Sequence, residues 1–452
     1  MNLSRRKLFL AAAAGVLPRL GHSADLSRMI VRSSRPEDLE MPLEGFNQWI
    51  TPVDQFFVRC HTYTPEPPNL GDWRLKLDGV VNQLVTLTMD DLKKMRRVEM
   101  VAVMECAGNG RSFYQPRVAG TQWAFGSVGN ARWTGVRFRD VLEKAGLKDS
   151  AQHILFDGAD VPLGKMPKFQ RAIPVKKALD PDTLLAYEMN GQALSIEHGF
   201  PLRVIVPGWA SDSWAKWLQH IEVLDHEFEG FWMKTAYRHP THPVEPGAAV
   251  DPKEMVPVTD LNVKSVIASP AAGWIKPGRV RISGTAWSNT SPVARVDVSV
   301  DGGNTWKPAK LGPSKLRKAE SQYAWRLWQL DWQVAEGQYT LLARATNEAG
   351  QTQPLTEEWN PSGYLWNVAQ RVDVEVTTKE MINIPIESRP PAQPPGYQSA
   401  CLTCHDEGMM VQQRLTPAQW DREVNKMTGW GAPLKPEDRD AILKYLSTQF
   451  KP

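Results

Sequence analysis

Met104-Glu105-Cys106-Ala107-Gly108-Asn109-Gly110-Arg111 sets one cysteine before a Gly-Asn turn and closes on an arginine. Such a thiol, taken by itself, reads as inert and buried. The flanking segments fix the fold class. Trp73-Arg74-Leu75-Lys76-Leu77-Asp78-Gly79 alternates like a strand ending in a turn. Thr88 to Met95 opens with a Thr cap and two acids, which predicts a short helix. Arg139 to Ala145 predicts another, stopped by Gly146. Short apolar runs and turns continue from Asp25 to Asp251, so 25–251 is expected to be an α+β domain, mostly antiparallel sheet.

From Pro252 to Thr378 the helical signals stop. Val280-Arg281-Ile282-Ser283-Gly284, Val296-Asp297-Val298-Ser299-Val300 and Tyr339 to Ala345 alternate as strands, with Asp301-Gly302-Gly303 as a hairpin turn. About seven such strands predict an immunoglobulin-like β-sandwich over 252–378. Residues 379–398 contain Arg389-Pro390-Pro391-Ala392-Gln393-Pro394-Pro395-Gly396, a stiff Pro-rich linker. Pro417 to Met427 and Pro436 to Phe450 have helical periodicity, so 399–452 is expected to be a small all-α unit.

A length of 452 residues fits several cores. The formal charge of +3, without a block of like charge, argues against a nucleic-acid partner. The 35 prolines favour strands joined by turns, and the 18 tryptophans read as core. Ser4-Arg5-Arg6-Lys7-Leu8-Phe9-Leu10, the apolar run to Val16 and the small residues ending near Ala24 form a twin-arginine export signal over 1–24. The apolar run is too short to span a bilayer, so the expectation is a periplasmic protein without a membrane span.

The four cysteines are Cys60, Cys106, Cys401 and Cys404. Two disulfides are one use for them in an exported chain. Cys401-Leu402-Thr403-Cys404-His405, however, is the C-x-x-C-H pattern of c-type haem attachment, with His405 placed to ligate iron. A thioredoxin-like pair lacks its βαβ context here, and zinc would want two more ligands. Met409, Met410 and Met427 are the available sixth ligands. Lys426-Met427-Thr428-Gly429-Trp430-Gly431-Ala432-Pro433 resembles the axial-methionine loop of small bacterial cytochrome c domains, which favours Met427.

The cysteine loop resembles that of the sulfite oxidase family, and further segments carry the same likeness. They are Phe57-Val58-Arg59-Cys60-His61, Ala131-Arg132-Trp133-Thr134-Gly135-Val136, Leu184 to Gly191, His198-Gly199-Phe200-Pro201-Leu202-Arg203 and Lys216-Trp217-Leu218. The matches extend from Phe56 to Arg238, and the sandwich agrees in type and order. The resemblance implies a molybdopterin domain, a sandwich that mediates homodimerisation, and Cys106 as the protein ligand of a molybdenum-molybdopterin cofactor. By the same likeness Arg59 and Arg111 hold an oxyanion, Tyr237 reaches the reacting centre and Trp123 walls the substrate pocket. His61, His198, Arg203 and Lys216 are implied for the pterin and its phosphate, with Asp160 toward a pterin amine. Taken singly, Tyr237 and Trp123 read equally as core aromatics, and each charge as a salt bridge.

Two departures stand out. Cys60 replaces the family's asparagine, and the arginine that the second domain usually contributes has no clear counterpart, Arg371 having the nearest context. The activity implied is oxidation of sulfite to sulfate, with haem c passing electrons to an external cytochrome c or similar acceptor. A same-fold sulfane dehydrogenase or oxyanion reductase is the alternative. A cytochrome with a degenerate molybdenum domain and a binding module without turnover are the readings from other classes.

Overall fold

A computed structural model of the chain describes residues 24–313, 322–379 and 392–452. The expected export signal therefore lies outside the described residues up to position 23, and the linker does so from 380 to 391.

The N-terminal body is built on two five-stranded sheets. One is wholly antiparallel and runs in the order Gln192–Ala193, Leu184–Met189, Val128–Arg137, Arg97–Glu105, with Arg203–Ile205 also on Leu184–Met189. The other runs Val85–Leu87, Leu75–Gly79, Leu218–Leu224, His153–Gly158, Gln170–Pro174, with one parallel pair between Leu75–Gly79 and Leu218–Leu224. The expected helices form where their signals lie. Met89–Lys94 starts at Thr88, whose hydroxyl and Asp91 cap one another's backbone amides. Phe138–Ala145 buries Phe138, Val141, Leu142 and Ala145, one helical face, and stops at Gly146 with φ 65°.

Strand Arg97–Glu105 leads to the cysteine loop, and its burial does not alternate. Every residue from Met100 to Glu105 is buried, because both sheet faces are covered. Tyr323, Trp325 and Trp287 from the C-terminal half join the core packed around the strand, and Tyr323 also pairs with the strand's free edge, bridging to Ala102 and accepting from the Val103 amide at 2.8 Å. Trp123, Trp133, Trp214, Trp287, Trp325 and Trp328 are fully buried, each ring removing ~150–250 Å² from water.

Residues 264–376 form two packed sheets with nine described strands rather than about seven, three of the nine being the short edges Gly273–Ile275, Lys307–Pro308 and Lys310–Gly312. Short edges limit unwanted pairing. Between Asn347 and Arg371 the chain leaves the sandwich, and Leu365 donates to the Ala107 carbonyl at 2.9 Å. That excursion lies against the cysteine loop.

The C-terminal unit holds the helices Tyr397–Cys401, Gly408–Val411, Pro417–Gly429 and Pro436–Gln449 around Tyr397, Leu415, Trp420, Ile442 and Leu446. It packs on the N-terminal body. Ser34 donates its amide to Asp406 at 2.5 Å, Gln122 its amide to Gln412 at 2.7 Å, and Lys165 its amide to the Trp430 carbonyl at 2.9 Å. Among the described residues no helix is long and apolar enough to cross a membrane.

Candidate active site

Cys106 follows the last residue of strand Arg97–Glu105. Its amide donates to Ser127 and its carbonyl accepts from Asn109, both at 2.9 Å. Glu105 before it is buried and accepts from Lys264 at 2.5 Å, Trp287 at 2.7 Å and Asn109 at 2.9 Å. Two of these donors belong to the sandwich, so the base of the loop is fixed from the second body of the chain. Gly110 has φ 90°, and a Cβ there would fall 2.5 Å from Trp366. Only glycine fits that turn.

Arg111 is held in a cradle of glycines. A Cβ on Gly108, Gly120 or Gly363 would come within 2.7–2.9 Å of its guanidinium. It donates to the carbonyls of Thr121 at 3.3 Å and Ser362 at 3.4 Å, and lies 4.9 Å from the Tyr364 ring centroid. Its Nε is buried without a partner, as is Nε1 of Trp123. Both residues line one cavity of about 380 Å³ with Arg59, His61, Cys106 and Tyr237.

Arg59, expected to help hold an oxyanion, already has a carboxylate partner. It pairs with buried Asp38 at 3.0 and 3.2 Å, and Asp38 also accepts from Thr121 at 2.7 Å. Burial works against the Arg59 charge, but Asp38 outweighs it and the guanidinium stays ionised. The pair is neutral as a unit, so the uncompensated charge beside Cys106 belongs to Arg111. Burial raises the Cys106 thiol to about 11, with Arg59 opposing.

Tyr237 has φ 55°, a conformation that costs about 1–3 kcal/mol for a side chain of this kind and persists only where the surroundings enforce it. Its hydroxyl lies 2.6 Å from His61 Nε2, its ring stacks on Tyr364 at 5.2 Å, and the Arg171 guanidinium lies 5.3 Å from its centroid. Burial, then the charges of Arg59, Lys216 and Arg171, hold His61 well below the usual histidine range, and burial lifts the Tyr237 phenol. Both are neutral at ordinary pH. Arg171 is itself paired with Asp212 at 2.5 Å.

A second cavity of about 60 Å³ shares Arg59, His61, Cys106 and Tyr237 with the first, placing Cys106 where the two meet. Asp160, His198, Arg203 and Lys216 line it. Arg203 donates to the carbonyls of His198 at 2.9 Å and Trp214 at 3.1 Å, its Nε is unpartnered, and burial lowers it to about 9. Lys216 reaches the Glu197 carbonyl at 2.8 Å and the Cys60 sulfur at 3.2 Å, which gives Cys60 a cation as neighbour. Asp160 accepts from Thr62 at 3.3 Å. His198, implied for the pterin and its phosphate, is engaged within the protein. Its Nδ1 lies 2.7 Å from the Ser195 hydroxyl and its Nε2 3.2 Å from the Phe56 carbonyl, so both nitrogens are engaged.

These residues fit a molybdenum-pterin group. Cys106, at the meeting of the two cavities, would hold the metal of such a group through its sulfur. Unpartnered N–H groups on both cavities and the cation of Arg203 suit an anionic, phosphate-bearing group.

The larger cavity also reaches Cys401, Cys404, His405, Met409, Met410 and Met427, among apolar side chains such as Leu415, Val424 and Ile442. His405 Nδ1 lies 3.0 Å from the Asp406 carbonyl. A carbonyl only accepts, so Nδ1 donates and Nε2 is the nitrogen left to face a metal. The Met410 sulfur accepts from the Tyr397 hydroxyl at 3.9 Å. This donor set fits a thioether-bound haem.

The sequence reading missed Tyr364, the Asp38 partner of Arg59 and the Lys264–Glu105 pair. Arg371, the nearest context for a second-domain arginine, opens the sandwich strand Arg371–Val376, exposed and 3.4 Å from Asp373. The second body supplies Tyr364 and the Ser362 carbonyl instead.

The family described as oxidoreductase molybdopterin binding domain matches residues 61–232, and the Mo-co oxidoreductase dimerisation domain matches 255–377. Mitochondrial sulfite oxidase of Homo sapiens is 38% identical over 364 residues, 77% of this chain and 66% of that protein. The chain thus spans just under two thirds of that relative. Sulfite oxidase of Gallus gallus is 35% identical, covering 74% of this chain and 75% of the relative. Among solved structures, the sulfane dehydrogenase SoxCD from Paracoccus pantotrophus superposes with a TM-score of 0.66 at 26% identity, over 83% of this chain and 96% of that one. With two matched domains in the expected order and relatives of this identity, the chain belongs to the sulfite oxidase family of molybdopterin oxidoreductases.

Proposed function

We propose that the chain oxidises sulfite to sulfate and passes the electrons through a c-type haem held by its own C-terminal unit to an external cytochrome c or similar acceptor. The observation that carries this reading is that one cavity is lined by Cys106, Arg111 and Trp123 and also by Cys401, Cys404 and His405. We further propose that it works in the periplasm as a homodimer. Ser4-Arg5-Arg6 with its apolar run supports the former, and the matched dimerisation domain the latter.

Sulfite and water give sulfate, two protons and two electrons. When bound at Cys106, molybdenum would supply the oxygen transfer and accept the electron pair. The residues of the chain bind and orient the anion. Among the described residues Arg111 is held by carbonyls and a ring face rather than by a carboxylate, and Trp123 offers an N–H without a partner. Both groups are buried, and charge and dipole act more strongly there than they would at the surface. Neutral Tyr237, fixed by His61, presents a hydroxyl beside Cys106 without adding charge that would repel the anion. The C-terminal unit keeps its haem-binding residues against the same cavity, which shortens electron transfer and raises the effective concentration of the acceptor.

Purified holoenzyme should reduce an artificial one-electron acceptor with sulfite and not with thiosulfate. Turnover with thiosulfate alone would transfer the assignment to a sulfane-type substrate, and nitrate reduction without sulfite oxidation to an oxyanion reductase. Separately, the wild type should retain haem peroxidase staining after denaturing electrophoresis, and Cys401→Ala/Cys404→Ala should lose it. An unstained wild type purified from a host able to mature c-type cytochromes would remove the haem assignment.

A further inference from the structure

We infer that Tyr364 is a positioning residue, contributed by the second body of the chain, that aims the Arg111 guanidinium at the bound anion without neutralising it. This deepens the anion-oxidation reading and rests on it.

The segment carrying Tyr364 is tied down on both sides. The Tyr364 carbonyl accepts from Tyr114 at 2.7 Å and Asn360 at 2.9 Å, and the Asn360 side chain accepts from the Ser362 amide at 3.1 Å. The next residue, Leu365, donates to Ala107 in the cysteine loop and has φ 62°. Gly363, also at positive φ, leaves room for Arg111 where a Cβ would sit 2.9 Å from its Nε. The segment is therefore built around that guanidinium.

What it offers Arg111 is a carbonyl and a ring face. The guanidinium stands 4.9 Å from the Tyr364 centroid, in the range of a cation–π contact. A carboxylate in this place would orient Arg111 as well, but would cancel its charge, as Asp38 does for Arg59. A π face and carbonyl dipoles orient the cation and leave its net charge for a dianion. The same ring stacks on Tyr237 with centroids 5.2 Å apart and an interplanar angle of 14°. One side chain thus sets both groups facing Cys106 in the larger cavity.

The test compares Tyr364→Phe with Tyr364→Leu in the full-length, molybdenum-loaded protein, reading KM and kcat for sulfite and sulfate affinity by calorimetry. Tyr364→Phe keeps the ring face and should hold KM and sulfate affinity within about threefold of wild type. Tyr364→Leu removes it and should raise KM and weaken sulfate binding together by about tenfold, with kcat changed less than about threefold. Tyr364→Met, apolar and without a π face, replaces the leucine variant if that one does not load the metal. Unchanged KM and sulfate affinity in a loaded leucine or methionine variant overturns the inference. So does a fall in kcat at constant KM. A wild type that binds sulfate but does not oxidise sulfite removes the sulfite reading, and the sulfate affinities then decide the role of Tyr364 by themselves.

Discussion

Cys106→Ser is expected to lose sulfite turnover by more than ~10²-fold, beyond what even outer-shell changes at metal sites cost. The substitution is nearly isosteric. It leaves intact the two 2.9 Å backbone hydrogen bonds, to Ser127 and from Asn109, that shape the loop, so the fold should survive. What changes is the donor. A thiolate is a soft ligand that coordination keeps deprotonated, whereas a serine hydroxyl is hard and far less acidic. The check is molybdenum content by elemental analysis alongside sulfite turnover. Retained turnover at wild-type rate would mean that Cys106 is not the metal's protein ligand.

Lys264→Met should be the most destabilising single change outside the ligand set. Lys264 and Glu105 are both about 5% exposed and 2.5 Å apart. Removing the ammonium strands a carboxylate that Trp287 and Asn109 alone cannot compensate. Breaking a buried pair this way costs about 3–5 kcal/mol. For units of this size that corresponds to a melting temperature lower by roughly 6–20 °C. Lys264→Met/Glu105→Leu should recover much of the loss, because the stranded charge goes with its partner. Scanning calorimetry of the two variants measures both effects. A single variant within about 1 °C of wild type would show that the pair does not hold the sandwich to the cysteine loop.

How much of this was legible in the sequence depended on whether the signal was local. Thr88, Gly146 and Asp301-Gly302-Gly303 act on their immediate neighbours, and the helices and turn they announce form where expected. Strand Arg97–Glu105 hides its period because both faces are covered, a fact set by Tyr323 and Trp287 from far along the chain. The site shows the same division. Cys106, Arg59, His61, Arg111, Trp123 and Tyr237 were marked by family likeness, and the structure gathers them on one cavity. Neutralisation of Arg59 by Asp38 was not legible, since nothing local announces a carboxylate facing it. Tyr364 sits in a segment without periodicity, and the positive φ at Gly363 and Leu365 appears only once the chain has folded. The engagement of both His198 nitrogens likewise depends on Ser195 and the distant Phe56 carbonyl.

The most direct measurement is anaerobic mixing of the oxidised holoenzyme with sulfite while the haem α-band is followed in a stopped-flow spectrometer. Electron flow within one chain predicts rapid haem reduction at a rate independent of protein concentration, absent in Cys106→Ser protein that still carries haem. A haem reduced by dithionite but indifferent to sulfite, in protein shown to contain molybdenum, would contradict it.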